Sequence, residues 1–322
     1  MAIAYHRDQA GAPALVYNTT SGANAHFTAL KTILKACLVT GYGSQAAAGW
    51  ALIAEGTNYI VLRNGTHSGY VCRSWVTGGA VRVWLAETFT GMSGDVMTGA
   101  GLKTGTAANN ATPQAVGASY VAYSDAATAW KLVADSKTFV INNLSGPSAS
   151  SASAVTGGNG QLLYVGEDTA GGFIAVGGNS NTSANGAFYQ LEFEGSLGFT
   201  SLKNPATGLL VGLGSLAVMT PGLLMTTIRN SPVGAFDSAD LVRQPWFGGG
   251  VLAGRLRGIA LTPCLNDARG ASEMAQCLGF PTVMSYRDSA TPIDLGDGHT
   301  YFVRGGHLNC APFLLTDNPA FW

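Results

Sequence analysis

Charge is what this sequence has least of. Asp, Glu, Lys and Arg together make up 11% of the 322 residues, where about 25% is typical of globular chains. The 17 basic and 18 acidic side chains are mixed along the chain and leave a net charge of −1. The densest basic spot is Arg255 and Arg257, with Arg243 upstream. Nucleic-acid binding needs a clustered basic footprint, so nucleic acid is not an expected partner. Intrinsic disorder is excluded from the other side, because 47% of the residues are apolar and disorder needs low hydrophobicity. A folding chain with so few charges has little to keep it soluble and apart from its copies. Burial of its surface against other subunits reconciles the two, since the cores of interfaces are depleted in charge.

Long apolar runs are also missing. The longest, residues 209–225, is broken by Gly212, Gly214, Thr220, Pro221 and Gly222. It reads as buried strands joined by a Pro-Gly turn, and no membrane span of about 20 residues is expected. Residues 1–8 carry no apolar signal core, so no secretory leader is expected. The five cysteines, Cys37, Cys72, Cys264, Cys277 and Cys310, are odd in number and irregular in spacing. They make no disulfide framework and suit assembly in a reducing cytoplasm. Without a leader, triplets such as Asn64-Gly65-Thr66 carry no glycosylation weight.

The usual marks of chemistry are sparse. There is no Gly-x-x-x-x-Gly-Lys-Ser/Thr string and no Gly-x-Ser-x-Gly elbow. Gly212-Leu213-Gly214 imitates a dinucleotide fingerprint, but Pro221-Gly222 would break the helix that fingerprint requires. Cys264, Cys277, His307 and Cys310 could supply a zinc site; the missing close cysteine pair favours buried thiols instead. Whether Cys264, Cys277 or Cys310 pair is left open by the spacing. His67, His299 and His307 lie beside glycines, and Asp297-Gly298-His299 reads as a turn. Glu192 and Glu194 would share one strand face, a glycosidase-like hint for which a solvated face is the ordinary explanation. No catalytic residue, metal ligand or cofactor is expected.

What the chain has in quantity is glycine, 44 residues. Phe27, Leu30, Ile33, Leu34, Cys37 and Leu38 recur at helical spacing, with Asn24 as N-cap and Gly41 as stop. Beyond that helix the period is two. Short runs separated by Gly, Asn and Thr predict strands at 51–54, 59–63, 70–75, 81–85, 161–165, 172–176, 188–193, 251–261, 282–285, 300–303 and 311–315. Trp130 to Asn142 predicts a hairpin closed at Ser136-Lys137, and residues 267–278 a short helix. The expected fold is mainly β (β-rich α+β): short antiparallel strands in sandwich-like units with one N-terminal amphipathic helix. The expected division is an extended arm (1–24), a helix-plus-β lobe (25–144), a Ser/Ala/Gly-rich loop or linker (145–160) and a C-terminal β lobe (161–322). Tyr5 and Tyr17 on the arm are candidate interface residues, the arm lying on a neighbouring subunit. Trp246 and Phe247, before three glycines, are candidates for a contact surface or for a core pair beside a turn.

Several segments taken together resemble a family of tailed-bacteriophage virion structural proteins associated with the tail region. They are Ala10-Gly11-Ala12-Pro13, Leu34 to Gly43, Ala47-Ala48-Gly49-Trp50, Trp130 to Phe139, Gly254-Arg255-Leu256-Arg257-Gly258 and the terminal Trp322. They occur in the family's order across most of the chain. The middle departs, at residues 145–160 and the Gly-rich stretch after them. The resemblance implies a non-enzymatic component of the tail tip or baseplate, present in many copies, in the virion. Its implied partners are other copies, other virion proteins and a host surface receptor. A capsid-decorating protein, a receptor-binding module of the tail and, last, a glycan-cleaving tail enzyme are the alternatives.

Overall fold

The computed structural model describes residues 1–16, 24–76, 80–94, 96–99, 114–118, 127–128, 130–143, 161–178, 192–193, 199–200, 216–219, 237–243, 251–261, 292–294, 296–303 and 313–322. Among these residues the fold is mainly β, with antiparallel sheets and one α-helix.

The helix Asn24–Lys35 runs on as a π-helical turn, Ala36–Thr40, and stops at Gly41. Phe27, Leu30, Ile33, Leu34, Cys37 and Leu38 are all buried, so the predicted face is the packed one. A five-stranded sheet follows, ordered Ala51–Gly56, Tyr59–Arg63, Tyr70–Val76, Ala80–Ala86 and Gln114–Ala118. A bulge near Ile53 breaks the register of its edge strand. Lys31 ties the helix to that edge, its Nζ donating to the Gly56 carbonyl at 2.7 Å.

The central sheet has six strands in the order Ile3–His6, Trp130–Ala134, Thr138–Asn143, Gln161–Glu167, Phe173–Gly178 and Phe199–Thr200. Described residues on both faces of its inner strands are buried. One face (Tyr5, Leu132, Phe139, Ile141, Leu163, Val165) joins the helix and the five-stranded sheet (Ile60, Leu62, Val71, Val83, Leu85) in one core. The other (Val133, Val140, Tyr164, Ile174) is buried as well. It meets a seven-stranded C-terminal sheet whose long strand is Val251–Leu261. There the His6 ring lies 5.5 Å from that of Phe302. The result is a layered β-sandwich with the central sheet in the middle.

Two expectations need correcting. Residues 3–6 are not part of an arm without a core: they form a strand paired with Trp130–Ala134. Tyr5 is fully buried in this chain's own core, its hydroxyl donating to the Ala46 carbonyl at 2.8 Å. It is therefore not an exposed interface residue. The second concerns 145–160, which connects Thr138–Asn143 to Gln161–Glu167. These are neighbouring strands of one sheet, so the expected lobe boundary falls inside the central sheet. The short helix expected over 267–278 lies outside the described residues. No helix among the described residues is long and apolar enough to cross a membrane.

Candidate functional site

The sequence motifs singled out above lie far apart along the chain, and most of them meet at one joint between the layers. The joint starts at the hairpin turn after Trp130–Ala134. Asp135 folds this turn: its Oδ1 accepts the N–H groups of Lys137 and Thr138, both at 2.8 Å. A carboxylate so placed satisfies donors the turn would otherwise leave unpaired. Its second oxygen is then free for the Arg257 guanidinium, which reaches it from the C-terminal sheet. Both side chains are largely shielded, at 12% and 13% exposure. The Asp135 carbonyl accepts the indole N–H of Trp50 at 2.9 Å. On its other side Arg257 stacks over the Trp322 ring, 5.6 Å from the centroid, a cation–π contact.

Backbone geometry makes that stack possible. Gly258 has φ +71°, and a Cβ there would lie 2.5 Å from the Trp322 ring. Only glycine gives both the left-handed conformation and the close approach. Trp322 is held in turn by its indole N–H, which donates to the Thr316 carbonyl at 2.7 Å.

A second polar group adjoins the first. Glu167, at the end of Gln161–Glu167, accepts a hydrogen bond from the Thr66 hydroxyl, and Lys137 Nζ lies 3.5 Å from its other oxygen. Burial alone would raise the Glu167 pKa. Hydrogen bonds from Thr66 and Ser68 and the Lys137 charge outweigh it and hold the carboxyl below its ordinary value. The Glu167 carbonyl accepts from the hydroxyls of Thr138 and Tyr164, both at 2.6 Å. Asn64 Nδ2 donates to Thr66 and Ser68. The Gly65 N–H donates to the Ser136 carbonyl at 2.7 Å, an approach that a Cβ on Gly65 would block. Burial raises the neighbouring Asp168 carboxyl above its usual value, although Ala170 and Gly172 donate to it at 2.9 and 2.8 Å.

Chemically, the two carboxylates at the joint's centre are spent. Asp135 serves its turn and Arg257, and Glu167 serves Thr66 and Lys137. What the arrangement does is fasten three loops and three sheets at one end of the sandwich. The described residues contain no group of three or more His, Cys, Asp or Glu side chains able to hold a metal.

Of the residues weighed earlier, His67 sits exposed at a loop tip with φ 61°. His299 closes the predicted turn, its N–H donating to Asp297 at 3.0 Å. Cys37 and Cys72 are buried thiols. Glu192 lies in the two-residue strand Glu192–Phe193. Tyr17, Glu194, Trp246, Phe247, Cys264, Cys277, His307 and Cys310 lie outside the described residues. Sequence reasoning missed the Asn64–Glu167 group, whose members are 103 positions apart. The one signal for it was the polar Asn64-Gly65-Thr66 turn, of which Asn64 is buried. No family model matches the chain, and no curated protein sequence matches it.

Proposed function

We propose that this chain is a non-enzymatic structural component of a tailed-phage virion, working in many copies in the tail tip or baseplate. The observation that carries the reading is the joint. Trp50, Asp135, Arg257 and Trp322 each come from a different segment of the resemblance, and they touch one another. Segments that share one contact network must be kept together, so their ordered recurrence supports a common architecture better than four unrelated likenesses would. The low charge supports burial of the surface against neighbours. A doubly covered central sheet is a stiff body suited to a load-bearing place in a particle.

Mass spectrometry of particles purified through a density gradient tests the proposal. The chain should be present at several copies per particle and stay bound through washing. Particles of full infectivity that lack it would overturn the reading.

A further inference from the structure

Among the described residues the central sheet ends on one side at Ile3–His6, and Gln9 closes that edge with its side chain and with its own N–H, which donates to the His6 carbonyl at 3.2 Å. Arg7 N–H donates inward to the Trp130 carbonyl at 3.1 Å, which fixes the alternation of the strand. The Ala4 carbonyl and the His6 N–H therefore point away from the sheet, the two groups an incoming strand would pair with. The turn after His6 brings Gln9 back against them. Gln9 Oε1 accepts the His6 N–H at 3.0 Å, and its Nε2 donates to the Ala4 carbonyl at 3.1 Å. One carboxamide thus makes the two bonds that the N–H and the C=O of one residue in a further, parallel strand would make. The Tyr42 hydroxyl also donates to Oε1, and the Tyr42 ring packs 5.9 Å from Tyr5 and 6.4 Å from Trp130. The amide is therefore held in place from the core side.

We propose that Gln9 is an edge lock, which closes the central sheet against addition of a strand from a second copy of this chain. The inference goes beyond the virion reading and does not depend on it.

Amide hydrogen exchange on the parent chain is the first readout: the outward His6 N–H should exchange as slowly as the ladder amides of residues 131–134. Exchange of His6 at the rate of a free amide would overturn the lock. Light scattering across a concentration series is the second. Gln9→Ala should associate at a concentration at least tenfold lower than the parent, with renewed protection of residues 3–6 in the associated fraction. Tyr42→Phe, which removes only the hydroxyl, should fall between the two. Unchanged association in Gln9→Ala, or association that leaves residues 3–6 unprotected, would contradict the proposal. If Gln9→Ala does not fold, Gln9→Met replaces it with the same outcomes, because it keeps the length of the side chain, adds no charge to the edge and loses both the donor and the acceptor.

Discussion

The carboxylate of Asp135 and the guanidinium of Arg257 form an ion pair across two sheets, although 122 positions separate them in the chain. Asp135 also organises its own turn, so one side chain fixes a local conformation and a long-range contact together. Breaking a shielded pair by removing one partner leaves an uncompensated charge and costs about 3–5 kcal/mol. Asp135→Ala should therefore lower the Tm by roughly 10 °C, taking about 2–4 °C per kcal/mol for a chain of this size class. Asp135→Asn keeps the acceptor for Lys137 and Thr138 and should lose distinctly less. Scanning calorimetry of the two variants separates turn from ion pair; equal losses would mean that the turn hydrogen bonds contribute nothing and the charge accounts for the whole effect.

Gly258 and Trp322 form a steric pair that a double substitution can expose. Gly258→Ala forces a side chain into a left-handed backbone and into the indole ring, so it should cost more than the roughly 1–3 kcal/mol of backbone strain alone. Adding Trp322→Ala removes the ring that the new methyl strikes. The double variant should then be less destabilised than the sum of the two single ones, as expected of residues in contact. Additive losses in urea titrations would rule out the close approach.

Acid stability should track Glu167. Its folded pKa is depressed, so its contribution is fully present above the unfolded carboxylate value, about 4.3, and is lost as pH falls through the folded value. Glu167→Gln should lower the Tm at pH 7 and converge with the parent as pH falls through the depressed folded value. Asp168 has the opposite sign, because burial raises its folded pKa. Protonation there favours the folded chain, so Asp168→Asn should steepen the loss of stability on acidification. Melting curves of both variants from pH 3 to 7 test the two signs together.

Removing residues 1–8 tests the placement of the first strand. Tyr5 and its hydrogen bond to Ala46 belong to the core, and replacing a buried aromatic by alanine costs about 3–5 kcal/mol. The truncated chain should be destabilised by at least that much, seen as an earlier unfolding transition in circular dichroism. An unchanged transition would return these residues to the role of a dispensable arm.

The helix was legible because its apolar residues recur on one face and polar ones fill the other. Val251–Leu261 was legible as a continuous run, and the Asp135 hairpin because an Asp-Ser-Lys turn separates two apolar stretches. Ile3–His6 was not: it is four residues long and buried on both sides, so no alternation marks it. The bulge near Ile53 likewise leaves no mark in composition. Asp135 and Arg257 each stood inside a noted motif, yet nothing local pairs one acidic turn with one of 17 basic residues. The Glu167 group was hidden for the same reason, since its donors come from a loop about a hundred positions upstream.

The most direct test of the proposed place in a virion is gold labelling of an epitope-tagged chain on intact particles, viewed by electron microscopy. The account predicts label at the tail tip or baseplate, at several sites per particle. Label on the capsid, or particles that carry none, would contradict it.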